Sequence, residues 1–572
     1  MRTIQIKELI EKNSPQFLAP YPAFVKNFIY FLLSRVLHIA EINSFLEKNQ
    51  NVFGIDFIDE LFDSLDFSYS VSKRDRDKIP SEGRVVIVAN HPLGGLDGLA
   101  LLKLVSEVRK DVRIVVNDAL MHINNLENVF LPYSIFSPGM QRERIVRIHS
   151  VLQNEEAVII FPAGEVSRIA ISGVKDAQWT QGAYYFASKN KAPVLPIHVH
   201  ARNSLFFYLF SMVAKKLSVF LLPHELFNKR KHTIRFTIGN PIPAKVFSED
   251  VHRKEFTTKL LRKHLYQIAK GKKGVFLTEK NVIQSVDKLL IKKEIDSSEL
   301  LGHTADGKSL HLICATQAVE TLREISRLRE LTFRKVGEGT GSKKDLDRFD
   351  HYYKHIVVWD NTNLDIVGSY RLGIGSEIFS TLGLNGFYTS TLFNLTEQFV
   401  EIAPISLELG RSFVQEKYWG TYALDYLWQG IGAYLKKNQE IRYLFGPVSL
   451  SNSYPEEAKA HILFYYKKWF TSREKLAQAK LPYILPLTKT LELNERFNGN
   501  TMKEDEKILK AVLKNFGVSI PVLYRQYSEL CEEDGVKFVE YNIDPEFGNC
   551  VDAFIVVDLH KLRPQKRERY LQ

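Results

Sequence analysis

The chain has little cysteine and no uninterrupted apolar run long enough to cross a membrane. Its 572 residues include only three cysteines, Cys314, Cys531 and Cys550, and these lie far apart in the sequence. Their spacing fits neither a disulfide framework nor a zinc site, so we expect no metal ion and a reducing compartment. The N-terminal segment also lacks the apolar core and small-residue cleavage site of a secretion signal.

Low-complexity sequence is absent as well, which excludes a largely disordered chain. Hydrophobic residues make up 45% of the sequence and charged residues 25%, as in folded proteins. The length predicts about two to four domains of roughly 100–200 residues each. Acidic residues are fewer than basic ones: the sequence has 66 aspartates and glutamates and 77 lysines and arginines, which gives a net charge of +11. This excess favours anionic partners: nucleic acid, phosphorylated substrates or acidic lipid.

Two segments come nearest to membrane helices, but both carry basic residues. Segment 23–40 is interrupted by two cationic side chains and a histidine, and segment 203–222 carries Lys215 and Lys216 in its middle. A cation at the centre of a membrane span is costly, whereas at the interface it reaches water along its own side chain. We therefore expect interfacial helices that do not cross the bilayer, with two helices docked in a soluble core as the alternative.

Apolar strands alternate with helical stretches between residues 84 and 243, which predicts an α/β layer with a largely parallel sheet. After a charged, strand-poor stretch, strands joined by short turns, one of them at 387–395, predict a second, mixed α/β sheet. Each sheet is expected to be flanked by helices. The predicted regions are a helical, membrane-associating region at 1–75, a first sheet domain at 76–275, a linker at 276–310 and a second sheet domain at 311–572.

The stretch VANHPLGGLDG, residues 88–98, places a histidine and an aspartate in a loop directly after a β-branched run. Loops at strand ends carry the chemistry of many α/β proteins. An acid beside a histidine orients the imidazole, which then removes a proton from a hydroxyl nucleophile. We predict this pairing for His91 and Asp97, and a capped structural histidine is the alternative.

Two further motifs follow later strands of the same domain: FPAGEVSR at 161–168 and APVLPIHVH at 192–200. Together with NHPLGGLD, they resemble three sequence blocks of the glycerolipid acyltransferases over about residues 80–245. Those blocks are N-H-x4-D, F-P-E-G-T-R-S and a V-P pair within an apolar run. The resemblance implies acyl transfer to a hydroxyl group.

The resemblance also implies roles for individual residues. His91 is then the general base, Asp97 orients it, and Glu165 and Arg168 hold the anionic end of the acceptor. Five residues instead of four separate His91 from Asp97, so the glycine pair of the loop must accommodate one more residue. Ala163 replaces the first glutamate of the third block, which argues against a glycerol phosphate acceptor. The stretches NHPLGGLDGLAL, FPAGEVSR and GVKDAQWTQGA together resemble instead the branch that acylates aminolipid precursors.

Charged residues also lie among the apolar strands of the second domain. Glu408 and Arg411 share one predicted strand, Arg371 lies in a neighbouring strand, and Asp347 and Asp350 precede another. Charges at such positions must pair with one another or serve a site. Surface ion pairs are the simpler alternative.

Four motifs of this domain resemble the acyl-homoserine-lactone-synthase-like branch of the GNAT superfamily over about residues 318–460. They resemble more closely the N-acyltransferases that attach a 3-hydroxyacyl chain to the α-amine of ornithine. In chain order, the motifs are Arg329 with Phe333, Asp347 with Asp350, Arg371, and Glu408 with Arg411. The resemblance implies that these residues line the site.

Amide formation needs a base for the amine and a polarised thioester carbonyl. We predict Glu408 as the base, Asp347 and Asp350 as the residues that attract the substrate ammonium, and Arg371 with Arg411 as the site for a carboxylate or for the donor's phosphate. The GNAT signature for the pyrophosphate of acetyl-CoA is missing from the sequence between Glu416 and Trp428. Its absence favours an acyl-carrier-protein donor, and no tightly bound cofactor is expected.

The joint interpretation is a bifunctional aminolipid synthase resembling the ornithine lipid synthases. Its expected partners are acyl-carrier protein, an amino acid, a lyso-aminolipid and an anionic membrane surface, but no nucleic acid. For the amino acid, the resemblance favours ornithine, with glycine or a related residue next. The expected location is the cytoplasmic face of the inner membrane, with peripheral or monotopic attachment. The alternatives are a lysophospholipid acyltransferase with an accessory GNAT domain and a non-enzymatic membrane scaffold.

Overall fold

The structure, a computed structural model, comprises two compact units, residues 1–281 and 282–572. It describes residues 22–117, 123–133, 141–170, 173–213, 215, 218, 221–247 and 253–571.

The first unit alternates strands and helices from β2 onwards. Its strands are β1 (Ser68–Ser70), β2 (Val85–Ala89), β3 (Val112–Val116), β4 (Phe130–Pro132), β5 (Ala157–Ile160), β6 (Arg168–Ala170), β7 (Gly173–Lys175), β8 (Val194–His200) and β9 (Thr233–Ile238). Its α-helices are α1 (Ala23–Val36), α2 (Ile39–Lys48), α3 (Gly54–Leu65), α4 (Lys73–Arg76), α5 (Leu96–Ser106), α6 (Gln141–Gln153), α7 (Gly182–Lys189), α8 (Leu205–Val213), α9 (Leu222–Phe227) and α10 (Lys254–Ile268).

Seven of these strands form one sheet in the order β1-β9-β8-β2-β5-β3-β4. Neighbouring strands are parallel except for β8 and β9. The five side chains of β2, VVIVA, are all buried, as expected of a central strand that is covered on both faces. The predicted, largely parallel sheet is confirmed.

Helices cover both faces of this sheet. On one face α3 and α5 pack against Val85 and Ile87, and on the other face α6, α7 and α10 pack against Val86 and Val88. Successive side chains of β2 thus point into different hydrophobic layers. This packing fixes the carboxyl end of β2, from which the HPLGGLD loop continues.

Helices α1 and α8 leave large apolar side chains exposed. These are Phe24, Phe28, Phe31 and Leu32 on α1, and Leu205, Phe206, Leu209, Met212 and Val213 on α8. No single described helix is long and apolar enough to span a bilayer; α1 and α2 meet the length and composition criterion only as a pair, which is bent by 58°. Lys216 and several other residues of segment 203–222 lie outside the described part of the chain.

The second unit has a larger share of antiparallel strands. Its strands are β10 (Glu299–His303), β11 (Ser309–Cys314), β12 (Lys354–Asp360), β13 (Asp365–Ile374), β14 (Phe393–Leu395), β15 (Ser406–Val414), β16 (Tyr443–Leu450), β17 (Ala477–Ala479), β18 (Val536–Asp544) and β19 (Cys550–Asp558). Its α-helices are α11 (Lys288–Asp296), α12 (Val319–Val336), α13 (Gly375–Leu382), α14 (Glu397–Val400), α15 (Ala423–Lys437), α16 (Glu456–Trp469), α17 (Leu487–Arg496), α18 (Met502–Asn515), α19 (Val522–Ser528) and α20 (Pro564–Leu571).

Eight strands of this unit form a mixed sheet in the order β10-β11-β12-β13-β15-β16-β19-β18. Only β15 and β16 are parallel within it. Helices α15, α16, α18 and α19 pack on one face, and α11 and α12 pack on the other. The predicted mixed sheet flanked by helices is confirmed.

Two stretches of the second unit differ from the sequence prediction. The predicted linker, 276–310, contains the boundary between the units, but α11, β10 and the start of β11 occupy nearly half of it. The predicted strand at 387–395 consists of a 3₁₀ turn at Tyr388–Thr391 followed by the short strand β14. Backbone N–H groups of this turn are held by the Glu408 carboxylate, which the sequence pattern could not indicate.

Candidate active sites

The loop after β2 is anchored by its first residue. The Asn90 side chain donates a hydrogen bond from Nδ2 to the Val199 carbonyl at 3.0 Å and accepts one at Oδ1 from the Val199 N–H at 2.8 Å. Gly94 then turns the chain with φ of +88°, and a Cβ atom there would lie 2.7 Å from Val166 Cγ2. Only glycine fits such a position, so Gly94 accommodates the extra residue of the motif.

His91 and Asp97 meet across this loop. The distance from His91 Nδ1 to Asp97 Oδ2 is 3.1 Å, within hydrogen-bond range. Asp97, which is fully buried in the first turn of α5, also accepts hydrogen bonds from the N–H groups of Leu93 at 2.8 Å and Gly98 at 2.9 Å. The His91 ring stacks on Phe161, with centroids 4.2 Å apart. Its other nitrogen, Nε2, makes no hydrogen bond with the described residues.

The dyad shifts the pKa of both of its members. Burial by itself lowers the pKa of His91, but the charge and hydrogen bond of Asp97, with the charge of Asp176, raise it above its ordinary value. Burial opposes ionisation of Asp97, yet His91 and two backbone N–H groups lower the pKa of this carboxyl. An ionised Asp97 that accepts a hydrogen bond from Nδ1–H leaves the lone pair of Nε2 free to take a proton from a hydroxyl group.

Asp176, which sequence analysis did not single out, joins the two motif loops. Its Oδ1 accepts hydrogen bonds from the His91 N–H at 3.1 Å and from Ser167 Oγ at 2.5 Å, and its Oδ2 accepts one from Trp179 Nε1 at 2.9 Å. Asp176 lies in the GVKDAQWTQGA stretch, so the resemblance was the only available signal for it. It contacts the backbone, not the ring, of the predicted base.

Glu165 and Arg168 are held by α8 and by residues that follow it. Arg168 Nη1 donates a hydrogen bond to Ser218 Oγ at 2.7 Å, and its Cζ lies 5.5 Å from the centre of the Phe207 ring. Glu165 Oε1 accepts a hydrogen bond from Lys215 Nζ at 2.9 Å. The buried Nε of Arg168 has no hydrogen-bond partner, so this guanidinium keeps a donor for an anion. Binding of the acceptor by these two residues stays a prediction.

In the second unit, Arg329, Asp350 and Arg371 form a buried ionic network. Arg329 donates hydrogen bonds to both oxygens of Asp350, at 2.8 and 2.9 Å. Arg371 Nη1 donates to Asp350 Oδ1 at 3.2 Å and to Asp347 Oδ1 at 2.7 Å. Burial alone would raise the pKa of Asp350, but the two guanidinium groups hold it well below its usual range. Asp350 thus neutralises two arginines, and Phe333 packs on this side of the sheet.

Glu408 lies close to this network with both carboxylate oxygens occupied. Oε1 accepts hydrogen bonds from the N–H and Oγ1 of Thr389, both at 2.6 Å, and Oε2 accepts from the Tyr388 N–H at 3.1 Å and from the Tyr353 hydroxyl. Burial raises the pKa of Glu408, although these hydrogen bonds oppose the rise. A raised pKa suits the predicted base, whereas four donors suit a residue that positions the 388–391 turn.

Arg411 is held by aromatic rings and by two long ion pairs. Its Cζ lies 5.0 Å from the centre of the Tyr388 ring and 4.8 Å from that of Phe547. The nearest carboxylate oxygens belong to Asp345 at 3.7 Å and Asp347 at 3.8 Å, and Arg411 Nε has no hydrogen-bond partner. Its backbone has φ of +50°, which is unusual for a residue with a side chain. Asp345 and the aromatic partners of Arg411 were missed by the sequence motifs.

Strands β15 and β16 separate beside these residues. They pair only where Ser406–Glu408 meets Tyr443–Phe445. Beyond that point, β15 remains paired with β13 on its other side, and β16 with β19. The facing backbone groups of the two strands therefore lose their mutual partners and can accept an extended ligand that carries amide groups.

Comparison with known proteins agrees with this geometry. Residues 9–271 match the family model described as Acyltransferase, and residues 328–429 match the acetyltransferase (GNAT) domain. A glycine N(alpha)-acyltransferase of Bacteroides thetaiotaomicron is 34% identical over 304 residues, which cover 51% of this chain and 89% of that protein. A lyso-glycine lipid O-acyltransferase of the same organism is 31% identical over 254 residues, covering 43% of this chain and 90% of that protein. The chain belongs to both of these acyltransferase families.

A third relative is named for a different amino acid. An L-ornithine N(alpha)-acyltransferase of Brucella abortus is 31% identical over 147 residues, which cover 25% of this chain and 51% of that protein. The two family models fall on separate units, so the predicted combination of a glycerolipid-type acyltransferase with a GNAT domain is confirmed. The protein is an acyltransferase, as the motifs predicted.

Proposed function

We propose that the protein is a bifunctional aminolipid synthase. The second unit attaches a 3-hydroxyacyl chain to the α-amine of an amino acid, and the first unit esterifies the hydroxyl of that chain. The observation that carries this proposal is the presence, in one chain, of a His–Asp dyad with an unused imidazole nitrogen and of a GNAT unit with buried arginines that have unused donors. The relatives matched by the chain include enzymes named for each activity.

In the first reaction the amine nitrogen attacks the thioester carbonyl carbon. A C–N bond forms and the C–S bond breaks, while Glu408, the proposed base, takes a proton from the attacking amine and returns it to the departing thiolate. The donor is an acyl-carrier-protein thioester, whose phosphopantetheine amides fit the opening between β15 and β16. Arg371 and Arg411 supply cationic donors beside this opening.

In the second reaction the lyso-lipid hydroxyl attacks another thioester. His91 Nε2 takes the hydroxyl proton as the C–O bond forms, and the imidazolium returns that proton to the departing thiolate as the C–S bond breaks. The ionised Asp97 stabilises the imidazolium between these steps. Arg168, with an unused Nε donor, is proposed to bind the carboxylate of the lyso-lipid.

The amino acid is proposed to be glycine, with ornithine as the second candidate. The motifs alone favoured ornithine. The glycine enzyme, however, is matched over 89% of its length, whereas the ornithine enzyme is matched over 51%. The matched O-acyltransferase is named for a lyso-glycine lipid, which also favours glycine over ornithine.

Expression of the full chain in a host without aminolipids tests the proposal. Lipids are extracted after growth with isotope-labelled glycine or labelled ornithine and are analysed by mass spectrometry. The expected product is a new two-chain lipid that carries the glycine label. Restored phosphatidic acid synthesis in a host lacking that activity, without an aminolipid, would favour the lysophospholipid acyltransferase instead. If neither product forms, the result favours the non-enzymatic membrane scaffold.

We further propose peripheral attachment to the cytoplasmic face of the inner membrane. The exposed apolar residues of α1 and α8 support it, because α8 buries Phe207 and Tyr208 beside Val166 of the FPAGEVSR motif while Phe206 and Met212 point outward. Apolar side chains beside cations are typical of interfacial helices. Flotation with vesicles containing phosphatidylglycerol tests this: a Phe206→Asp, Met212→Asp variant should lose binding. Leu382→Asp, an equally exposed site of the second unit, should keep it.

A further inference from the structure

An acidic group in the second unit lies outside all of the sequence motifs. It consists of Asp552 on β19, Asp544 at the end of β18 and Glu338, two residues beyond α12. Gly548, in the turn between β18 and β19, has φ of +71°, and a Cβ atom there would lie 2.4 Å from the Gly337 carbonyl oxygen. This close backbone contact places Glu338 beside the turn.

Asp552 is a buried carboxylate with one unused oxygen. Its exposed fraction is 2%, and its Oδ1 accepts hydrogen bonds from Ser449 Oγ at 2.6 Å and Cys550 Sγ at 3.7 Å. Oδ2 accepts no hydrogen bond from the described residues, and Asp552 forms no ion pair with them. Burial raises the pKa of Asp552 to about 6, and the hydrogen bond from Ser449 opposes this shift.

Guanidinium groups with unused donors lie near this acidic group, because Arg411 Cζ is 4.8 Å from the centre of the ring of Phe547, which lies in the turn between β18 and β19. The Cζ atoms of Arg411 and Arg371 are 5.0 and 5.1 Å from the centre of the Tyr388 ring. Arg371 is 1% exposed, yet its Nε and Nη2 have no hydrogen-bond partner. The charge of Arg411 lowers the pKa of both Asp552 and Glu338, although neither carboxylate forms an ion pair with it.

Asp552 thus lies near two guanidinium groups that it does not contact, and these groups keep unused donors although Arg371 already pairs with Asp347 and Asp350. A buried charge that lacks a partner is costly, so the arrangement calls for a ligand with both signs. An α-amino acid is a zwitterion and carries an ammonium and a carboxylate on adjacent atoms. The Asp347 and Asp350 carboxylates are poorer candidates for the ammonium, because Arg371 and Arg329 already engage them.

We propose that Asp552 binds the α-ammonium of the acceptor amino acid, while Arg411 and Arg371 bind its carboxylate. Glu338 and Asp544 add negative potential on the ammonium side. This inference rests on the proposed N-acylation and names the residues that recognise its acceptor. It predicts selection for a free amine next to a free carboxylate, so a hydroxy acid of the same size binds weakly.

The purified full-length protein and its Asp552→Asn variant provide the test. Calorimetric titration with glycine, ornithine and glycolate, which lacks the ammonium, measures binding without turnover. The parent should prefer glycine or ornithine to glycolate at least tenfold, and the variant should lose this preference. In steady state, the variant should raise KM for the amino acid at least tenfold while O-acylation of added lyso-lipid is unchanged. The exposed control Asp306→Asn should match the parent in both assays.

A variant that keeps the parent's KM and its preference over glycolate would overturn the assignment. If Asp552→Asn loses its thermal transition, Glu338→Gln decides: a KM increase of at least threefold supports the site, and an unchanged KM overturns it. A parent that binds glycine through Asp552 but transfers no acyl chain would overturn the proposed function and leave the binding site standing. The experiments thus distinguish a failure of the Asp552 site from a failure of the proposed N-acylation.

Discussion

The central carboxylates of the two units are alike in their burial and backbone hydrogen bonds, but they differ in their side-chain partners. Asp97 is buried, accepts two backbone N–H groups and holds His91, whose Nε2 remains unused. Glu408 is also buried and accepts two backbone N–H groups, but its side-chain partners are the hydroxyls of Tyr353 and Thr389. By its contacts Glu408 thus shares features with the orienting Asp97, although it is the proposed base of the second unit. The comparison teaches that a buried acid with this set of donors can serve as a base or hold the neighbouring turn in place, and the variants below separate these two roles.

The largest effects are expected from removing the central residue of each site. His91→Ala removes the proposed base for O-acylation, which is worth about 10²–10⁴-fold in rate, and leaves the second unit intact. A single-chain lyso-aminolipid should accumulate. Glu408→Ala should abolish both products, and added lyso-lipid should restore the two-chain lipid through the intact first unit. Lipid mass spectrometry checks both; two-chain lipid from His91→Ala at the parent rate would contradict the dyad.

Glu408→Gln separates a base from a positioning residue. The substitution replaces one of the two carboxylate oxygens with an NH₂ group, which cannot accept a hydrogen bond. If the NH₂ group takes the place of Oε1, it faces the two donors of Thr389. If it takes the place of Oε2, it faces the Tyr353 hydroxyl and the Tyr388 N–H. Each buried donor left without a partner costs about 1–3 kcal/mol. We expect a lowered melting temperature as well as lost N-acylation. Full stability with a reduced kcat alone would instead support Glu408 as the base.

Asp97→Asn tests how the first unit sets the pKa of its base. Without the Asp97 charge, burial lowers the pKa of His91, which lies above 6.5 in the parent. His91 must be neutral to accept a proton, so the acidic limb of the pH–rate profile should move to lower pH, while the plateau falls about 100-fold. The raised pKa also implies that the stability contributed by protonated His91 is fully present below its unfolded-state pKa of about 6.5 and is lost as the pH rises through its folded-state pKa. If the acidic limb does not move, Asp97 does not control the pKa of His91.

The sequence predicted the elements better than the contacts between them. Strand alternation and the HPLGGLD loop rest on local patterns, and these indicated both sheets and the pairing of His91 with Asp97. The Asp176 hydrogen bond to the His91 backbone joins residues 85 positions apart, and no local pattern encodes it. Charge motifs likewise named Asp350 without showing that Arg329 and Arg371 both contact it. These ion pairs join residues that are distant in the sequence, so they depend on the tertiary fold and not on a local motif.

Asp176→Asn should have a smaller effect than Asp97→Asn. The amide still offers one oxygen to the His91 N–H or to Trp179, but its NH₂ group must face a donor on the other side. Because the contact holds the loop backbone and not the ring, kcat for O-acylation should fall about tenfold, with little change in KM. The acidic limb should move slightly to lower pH, since the charge of Asp176 contributes to raising the His91 pKa. A parent-like kcat would remove Asp176 from loop positioning.

The smallest effect is expected at Glu165, which contrasts with the buried Glu408. Glu165 is 30% exposed and pairs with Lys215, whose side chain is 62% exposed, so solvent weakens the ion pair and its loss costs at most about 1 kcal/mol. Glu165→Gln should leave the melting temperature unchanged and alter KM for the lyso-lipid less than about threefold. Arg168→Gln is the matched variant three residues away. Its lost guanidinium should raise the same KM about tenfold if Arg168 binds the lyso-lipid carboxylate. Equal and small effects of the two variants would place the acceptor's anionic end elsewhere in the first unit.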